Sequence, residues 1–380
     1  GARVVLIEKG KMGGDCLNYG CVPSKALIAA AHAAASARKG AAFGIDADPH
    51  VHFRKVHDHV HAVITEIAPA DSVERFEGLG VRVIKAEARF LGPREVEAGG
   101  TRVRARRFVV ATGSEPARPP IDGLAACSYL TNETIFDLQE RPDHLIVIGG
   151  GPIGCELAQA YRRLGAAATI LESGTIMPRD DPEAVAVLRR RLVAEGIDLR
   201  ENVTITTVRE EAGCSVVTIA DSTGNTRITG SHVLVAAGRK AKVDGLGLEA
   251  AGVAYTSKGI TVDARLRTTN KKVFAIGDVV GSYPFTHMAG YHGGIVIRNA
   301  VFNIPAKVEE HAVPWVTYTD PELAHVGMNE VTARERHGDV IKVLRWTFAE
   351  NDRAHTERET DGLIKAVIGP RGRILGAAIV

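Results

Sequence analysis

Short, wholly apolar runs alternate with longer stretches in which apolar positions recur at helical spacing, a pattern that predicts an α/β chain. Residues 3–8 (Arg-Val-Val-Leu-Ile-Glu) predict a buried strand closing on an acid. Residues 24–38 are Ala-rich and predict a helix, and residues 57–76 carry helical spacing through Val60, Val63, Ile64 and Ile67. Residues 81–90 and 103–113 predict strands and turns of a sheet, and Pro116, Pro119 and Pro120 then form a stiff connection. Another buried strand, residues 145–148, runs into a glycine-rich turn and a helix, with residues 168–171 as the strand that follows. An amphipathic helix over 181–195 precedes paired strands over 203–228, turning at Thr223-Gly224-Asn225, and further strands over 233–239 and 273–278. From Pro314 the character changes, with strands at 342–349 and 363–368.

Composition narrows the class. At 380 residues, 45% hydrophobic and 24% charged, the chain is long enough for two or three domains with substantial cores. Its 47 basic and 45 acidic residues are interspersed and leave a net charge of +2, so no broad electrostatic argument points to nucleic acid or an anionic membrane. Five cysteines without a dense framework fit a reducing cytoplasm and one working pair. The longest small-apolar run, residues 26–37, is interrupted by His32 and Ser36, so neither a membrane span nor a signal peptide is expected.

The candidate chemistry centres on Cys16 and Cys21, five positions apart in Gly-Gly-Asp-Cys-Leu-Asn-Tyr-Gly-Cys-Val-Pro-Ser-Lys. Asn18 and Gly20 supply turn residues between the thiols, and Pro23 suits a first helical turn, so Cys21 falls at a helix N-terminus. That end, with the ammonium of Lys25, favours a thiolate. The competing reading is two cysteines packed in an Ala-rich helix. A second signal is Gly149-Gly150-Gly151-Pro152-Ile153-Gly154 between strand and helix. Gly149, Gly151 and Gly154 allow a tight turn, approach of a pyrophosphate to backbone amides and close helix packing. Glu172 ends the next strand 23 positions after Gly149, where a carboxylate bonds a ribose hydroxyl and repels a 2'-phosphate, favouring NADH over NADPH. Glu8 occupies the equivalent strand end near the start of the chain, without the glycine turn before it, so the chain is expected to be a fragment of a longer protein. His50, His52, His57, His59 and His61 invite a metal reading, but no Cys or paired acid completes a set, and a solvated helix face with no metal is expected.

The cysteine segment resembles the redox signature of the class I pyridine nucleotide-disulfide oxidoreductases, which include dihydrolipoamide dehydrogenase, glutathione reductase and mercuric reductase. The resemblance implies FAD and a nicotinamide cofactor, with Cys16 as the interchange thiol, Cys21 as the thiol against the flavin and Lys25 as a cation near its ring, paired with Glu156. It also implies that Ala111-Thr112-Gly113 touches the flavin, that Asp278 in Gly277-Asp278 binds its ribityl chain, and that the Thr286-His287-Met288-Ala289 backbone lies against its pyrimidine, with His287 only orienting local structure. Glu8, Gly14, Asp15, Ala88, Gly238 and Ala289 are further cofactor-binding positions by the same resemblance. Where the family has Pro-Asn after the returning strand, Ala241-Lys242 stands here. The family's C-terminal His-Glu base has no match, nor does the terminal cysteine pair of mercuric reductase.

The expected fold is therefore α/β: two Rossmann-like dinucleotide-binding domains, for FAD and NAD(P), plus a partial α+β dimerisation domain. The expected boundaries are 1–114 and 240–308 for the FAD domain, 115–239 for the NAD(P) domain, and 309–380 for an incomplete dimerisation domain, the full-length form being a homodimer. The expected activity passes electrons from nicotinamide through flavin to Cys16 and Cys21 and on to a dithiol/disulfide acceptor. Hg(II) reduction is the first alternative and a flavoprotein scaffold without turnover the second.

Overall fold

The strand expected over residues 3–8 forms as Val5–Ile7, pairing in parallel with Arg82–Ile84. In the computed structural model, which describes residues 2–222 and 224–380, it lies in the first of two units, built from Gly1–Pro23, Val60–Ala117 and Arg239–Glu309. A second parallel pair joins Phe108–Val110 to Val273–Ala275, and Ala88–Gly92, Glu95–Ala98 and Thr101–Arg104 form an antiparallel meander. Phe90, Val110, Val243, Leu248, Val273 and Ala275 pack into one core, where the rings of Phe90 and Phe108 meet edge to face at 5.4 Å. Each of the larger side chains here, valine and up, contributes about 1.5–3 kcal/mol by leaving water. Helix Thr286–Ala300 closes a smaller cluster, setting Ile295 and Val296 on Phe274.

The second unit comprises Ser24–His59, Arg118–Gly238 and Glu310–Val380. Its centre is a four-stranded parallel sheet ordered Asp198–Arg200, Ala167–Leu171, His144–Ile148, His232–Val235. Residues 145–148 are nearly inaccessible to solvent, which is why they read as an unbroken apolar run rather than an alternating one. Helix Pro152–Arg163 follows the first strand of this sheet, with Pro152 in its opening turn. The helix expected over 181–195 runs Pro182–Ala194, capped by Asp181, whose carboxylate accepts from the amide of Glu183. A five-stranded antiparallel sheet is ordered Pro314–Thr317, Leu323–Gly327, Ile374–Ile379, Leu363–Ile368, Lys342–Thr347.

Two expected elements differ in extent. The periodicity over 57–76 is divided into Phe53–Ile67 and Val73–Gly78, because Pro69 has no amide to continue the ladder and Ser72 starts a new helix by accepting from Arg75. The paired strands over 203–228 are three, Thr204–Glu211, Cys214–Asp221 and Gly224–Gly230, with Cys214 opening the second. Thr223 lies outside the described residues.

Candidate functional site

Cys16 lies in a short helix, Gly14–Asn18, and Cys21 opens the long helix Cys21–Lys39. The side chain of Asn18 donates to the carbonyls of Met12 (2.9 Å) and Gly14 (2.8 Å), tying the short helix to the loop before it. A side chain at Gly20 would crowd the Asp15 carbonyl at 3.1 Å and Cys16 Cα at 3.3 Å, so glycine lets the chain double back over Cys16. Neither cysteine is in a disulfide, and the two thiols hydrogen-bond to each other. Cys21 is exposed and lies 3.2 Å from the hydroxyl of Thr286. Its sulfur, together with burial, pushes the Cys16 thiol far above the ordinary range, with the Thr286 hydroxyl acting the other way. The two thiols therefore sit in unequal surroundings, Cys16 half-buried with its pKa pushed up and Cys21 exposed.

Around this pair in the same unit lies a chain of charged and polar contacts. Arg239 reaches Asp15 at 3.2 Å and donates to the Ser114 hydroxyl at 2.7 Å, and that hydroxyl donates to Asp278 at 2.6 Å. Thr112 donates to the carbonyl of Lys242, and Lys242 returns its amide to Gly113, so the departure at Ala241-Lys242 still holds the Thr-Gly turn. At Gly14 and Gly113 an added Cβ would meet nothing within 4 Å, leaving backbone open to a ligand beside the Asp15 and Asp278 carboxylates. This donor set fits an extended, hydroxyl-bearing dinucleotide such as FAD. Ala289 sits in the first turns of helix Thr286–Ala300, its Cβ 3.1 Å from where a side chain at Gly277 would begin. Glu8 bends back to accept the amide of Gly10 at 2.7 Å, and Ala88 pairs with Ala98 in the meander.

In the second unit the glycine turn separates packing from cradle. A Cβ at Gly149 would stand 2.5 Å from the Ala236 carbonyl and one at Gly154 only 2.0 Å from the Gly149 carbonyl, whereas one at Gly151, at the N-terminus of helix Pro152–Arg163, would meet nothing within 4 Å. Two of these glycines are demanded by the protein's own packing; the third leaves space at a positive helix end, which fits a pyrophosphate. Glu172 accepts the amides of Gly150 (2.7 Å) and Gly174 (3.0 Å), fixing a carboxylate beside the turn. Gly238, at φ +113°, follows strand His232–Val235 and also leaves its Cβ position open. Cys155 is fully buried and its thiol is pushed well up by burial, so it packs as an apolar group.

Glu156 is buried on the same helix, and its two oxygens accept from the Lys25 ammonium at 2.9 Å and the Tyr318 amide at 2.8 Å. The structure therefore brings Lys25 and Glu156 together as expected. Of the histidines, the rings of His50 and His52 meet at a tilt, 4.5 Å between centroids, and His57 meets Asp58 at 3.0 Å. Among the described residues no group of three or more His, Cys, Asp or Glu is arranged to hold a metal ion. Arg239, Ser114 and Tyr318 escaped the sequence-based site, as did the contact of the Thr286 side chain with Cys21. Each sits next to or inside a motif, but its partner is distant along the chain, and only folding discloses the pairing.

Residues 1–293 match the family described as pyridine nucleotide-disulphide oxidoreductase, and residues 313–380 match that family's dimerisation domain. The chain is 34% identical over 391 residues to a mercuric reductase of Streptomyces lividans, covering 100% of this chain and 82% of that one. It is 36% identical over 390 residues to a dihydrolipoyl dehydrogenase of Geobacillus stearothermophilus, covering 100% and 82%. Against a mercuric reductase of Bacillus cereus the identity is 34% over 383 residues, and the chain spans 60% of that protein's length. Among solved structures, the HOCl-induced flavoprotein disulfide reductase RclA of Escherichia coli superposes with a TM-score of 0.87 at 27% identity, covering 100% of this chain and 84% of that one. LpdA of Mycobacterium tuberculosis gives 0.89 at 26%, with the same coverage.

Proposed function

The chain belongs to the pyridine nucleotide-disulphide oxidoreductase family, and from that premise we propose that it oxidises NADH and delivers the electrons through Cys16 and Cys21 to a dithiol/disulfide acceptor. The family is FAD-dependent and uses a pyridine nucleotide. Bound FAD supplies the two-electron relay between nicotinamide and sulfur. NADH and one proton reduce the Cys16–Cys21 disulfide to the two thiols; exchange with an acceptor disulfide then restores the protein's bond and releases the acceptor as a dithiol. Cys16 performs the exchange and Cys21 faces the flavin. Lys25, paired with Glu156, keeps a positive charge near the ring. Glu8, Gly14, Asp15, Ala88, Thr112, Gly113, Asp278 and Ala289 hold FAD, and Gly149, Gly151, Gly154, Glu172 and Gly238 hold the nicotinamide cofactor.

The observation that carries this reading is the thiol pair itself: two hydrogen-bonded sulfurs, one exposed and one half-buried, at the start of a long helix. A fixed Glu172 carboxylate beside the glycine turn supports NADH over NADPH. Five cysteines without a disulfide framework fit a cytoplasmic setting. Among the described residues no helix is long and apolar enough to cross a membrane. For the homodimer, the outer face of the five-stranded sheet exposes Leu344, Trp346, Ile364 and Ile379, the last three in register, an apolar surface of the kind partners cover. Hg(II) reduction is the second reading, supported by the mercuric reductases that the chain resembles end to end.

The test is reconstitution with FAD followed by anaerobic NADH. A long-wavelength thiolate-to-flavin absorption band is expected, and Cys21→Ser removes it. Protein that cannot retain the yellow cofactor is the inert scaffold instead. Dihydrolipoamide-dependent NAD reduction against Hg(II)-dependent NADH oxidation then separates the two acceptors.

A further inference from the structure

The Lys25 ammonium has a second neighbour besides Glu156: it stands over the ring of Tyr318, 4.3 Å from the centroid. The loop carrying that ring is held by three side chains on one face of helix Pro152–Arg163. Glu156 accepts the Tyr318 amide at 2.8 Å; Gln159, one turn on, accepts the Asp320 amide and donates to the Asp320 carbonyl, both at 2.8 Å; Arg163 reaches the Asp320 carboxylate at 2.8 Å. All three are at least nine-tenths buried, although burial alone disfavours the Arg163 charge and only Glu195 and Asp320 offset it. Buried polar groups are retained where they fix geometry, and what this ladder fixes is the backbone that presents one aromatic ring to one ammonium.

We propose that Tyr318 is a positioning residue for the reaction, its ring serving as the shelf that keeps the Lys25 ammonium in place while Glu156 neutralises its charge. The proposal rests on the redox reading given above. A lysine on a flexible four-carbon stem, with about a third of its side chain exposed, has many rotamers open to it; a carboxylate and a π face together leave few.

The test uses Tyr318→Leu and Tyr318→Phe in protein reconstituted with FAD, with two readouts. Competitive acetylation of Lys25, followed by mass spectrometry, is expected to run about two- to fivefold faster in the Leu variant, from the loss of a cation–π contact, and to return to the wild-type rate in the Phe variant. The pH midpoint of the long-wavelength band after NADH reduction moves upward in the Leu variant and is restored by Phe. A wild-type protein with no such band overturns the reading of its function. A wild-type band with a Leu variant unchanged in either readout, or a Phe variant as impaired as Leu, overturns the role of the Tyr318 ring alone.

Discussion

Cys16 and Cys21 are chemically unequal although the sequence writes both as the same residue. Cys21 is exposed, and its sulfur pushes the Cys16 thiol upward. Because Cys21 is exposed and Cys16 half-buried, iodoacetamide is expected to label Cys21 several-fold faster than Cys16 in cofactor-free protein, and bound FAD is expected to protect Cys21 and leave Cys16 as the reactive thiol. Site-resolved mass spectrometry measures both, and faster labelling of Cys16 without FAD would contradict the assignment. The pair's importance was legible from spacing and turn residues, because a thiol at a helix start is a local feature. The contact of Cys21 with the Thr286 hydroxyl was not, because that residue lies 265 positions away.

At the scale of elements, the glycine turn of residues 149–154 separates what the fold needs from what a ligand needs. Gly154→Ala places a methyl 2.0 Å from the Gly149 carbonyl and is expected to destabilise the protein by about 1–3 kcal/mol, read by urea unfolding. Gly151→Val meets no protein atom within 4 Å at its Cβ, so stability is retained while the NADH KM rises about tenfold. A Gly151 variant that unfolds early, with NADH affinity intact, would refute the division. The strand, turn and helix were each readable from sequence, since period and glycine spacing are local. The broken helix over 57–76 shows the limit: one proline outweighed a continuing apolar pattern, and only backbone hydrogen bonding reveals where the ladder stops.

For the whole molecule, the five-stranded sheet is joined to helix Pro182–Ala194 by a buried charge cluster. The Lys365 ammonium lies 2.8 Å from Asp181, 2.7 Å from Glu183 and 2.9 Å from Glu330, and Arg345 reaches both glutamates at 2.8 Å. Lys365→Met removes the ammonium from the buried Asp181 carboxylate, while Arg345 still pairs Glu183 and Glu330, and is expected to cost about 3 kcal/mol. Hydrogen bonding to Arg345, followed by Lys365, holds Glu183 at about 2 against an ordinary 4.5. Its folded-state value is depressed, so its stabilisation is present above 4.5 and is lost as pH falls toward 2. Thermal unfolding across that interval should fall less steeply for Glu183→Gln than for wild type. The sequence by itself determined the elements, the thiol pair, the glycine turn and the family, because periodicity, turn chemistry and motif spacing act within a few tens of residues. Only the tertiary structure decided the other partners: Lys25 with Tyr318, Arg239 with Asp15 and Ser114, Lys365 with its three acids. Most of these pairings join residues more than a hundred positions apart, and the contacts act over a few ångströms, so nothing short of the fold specifies them.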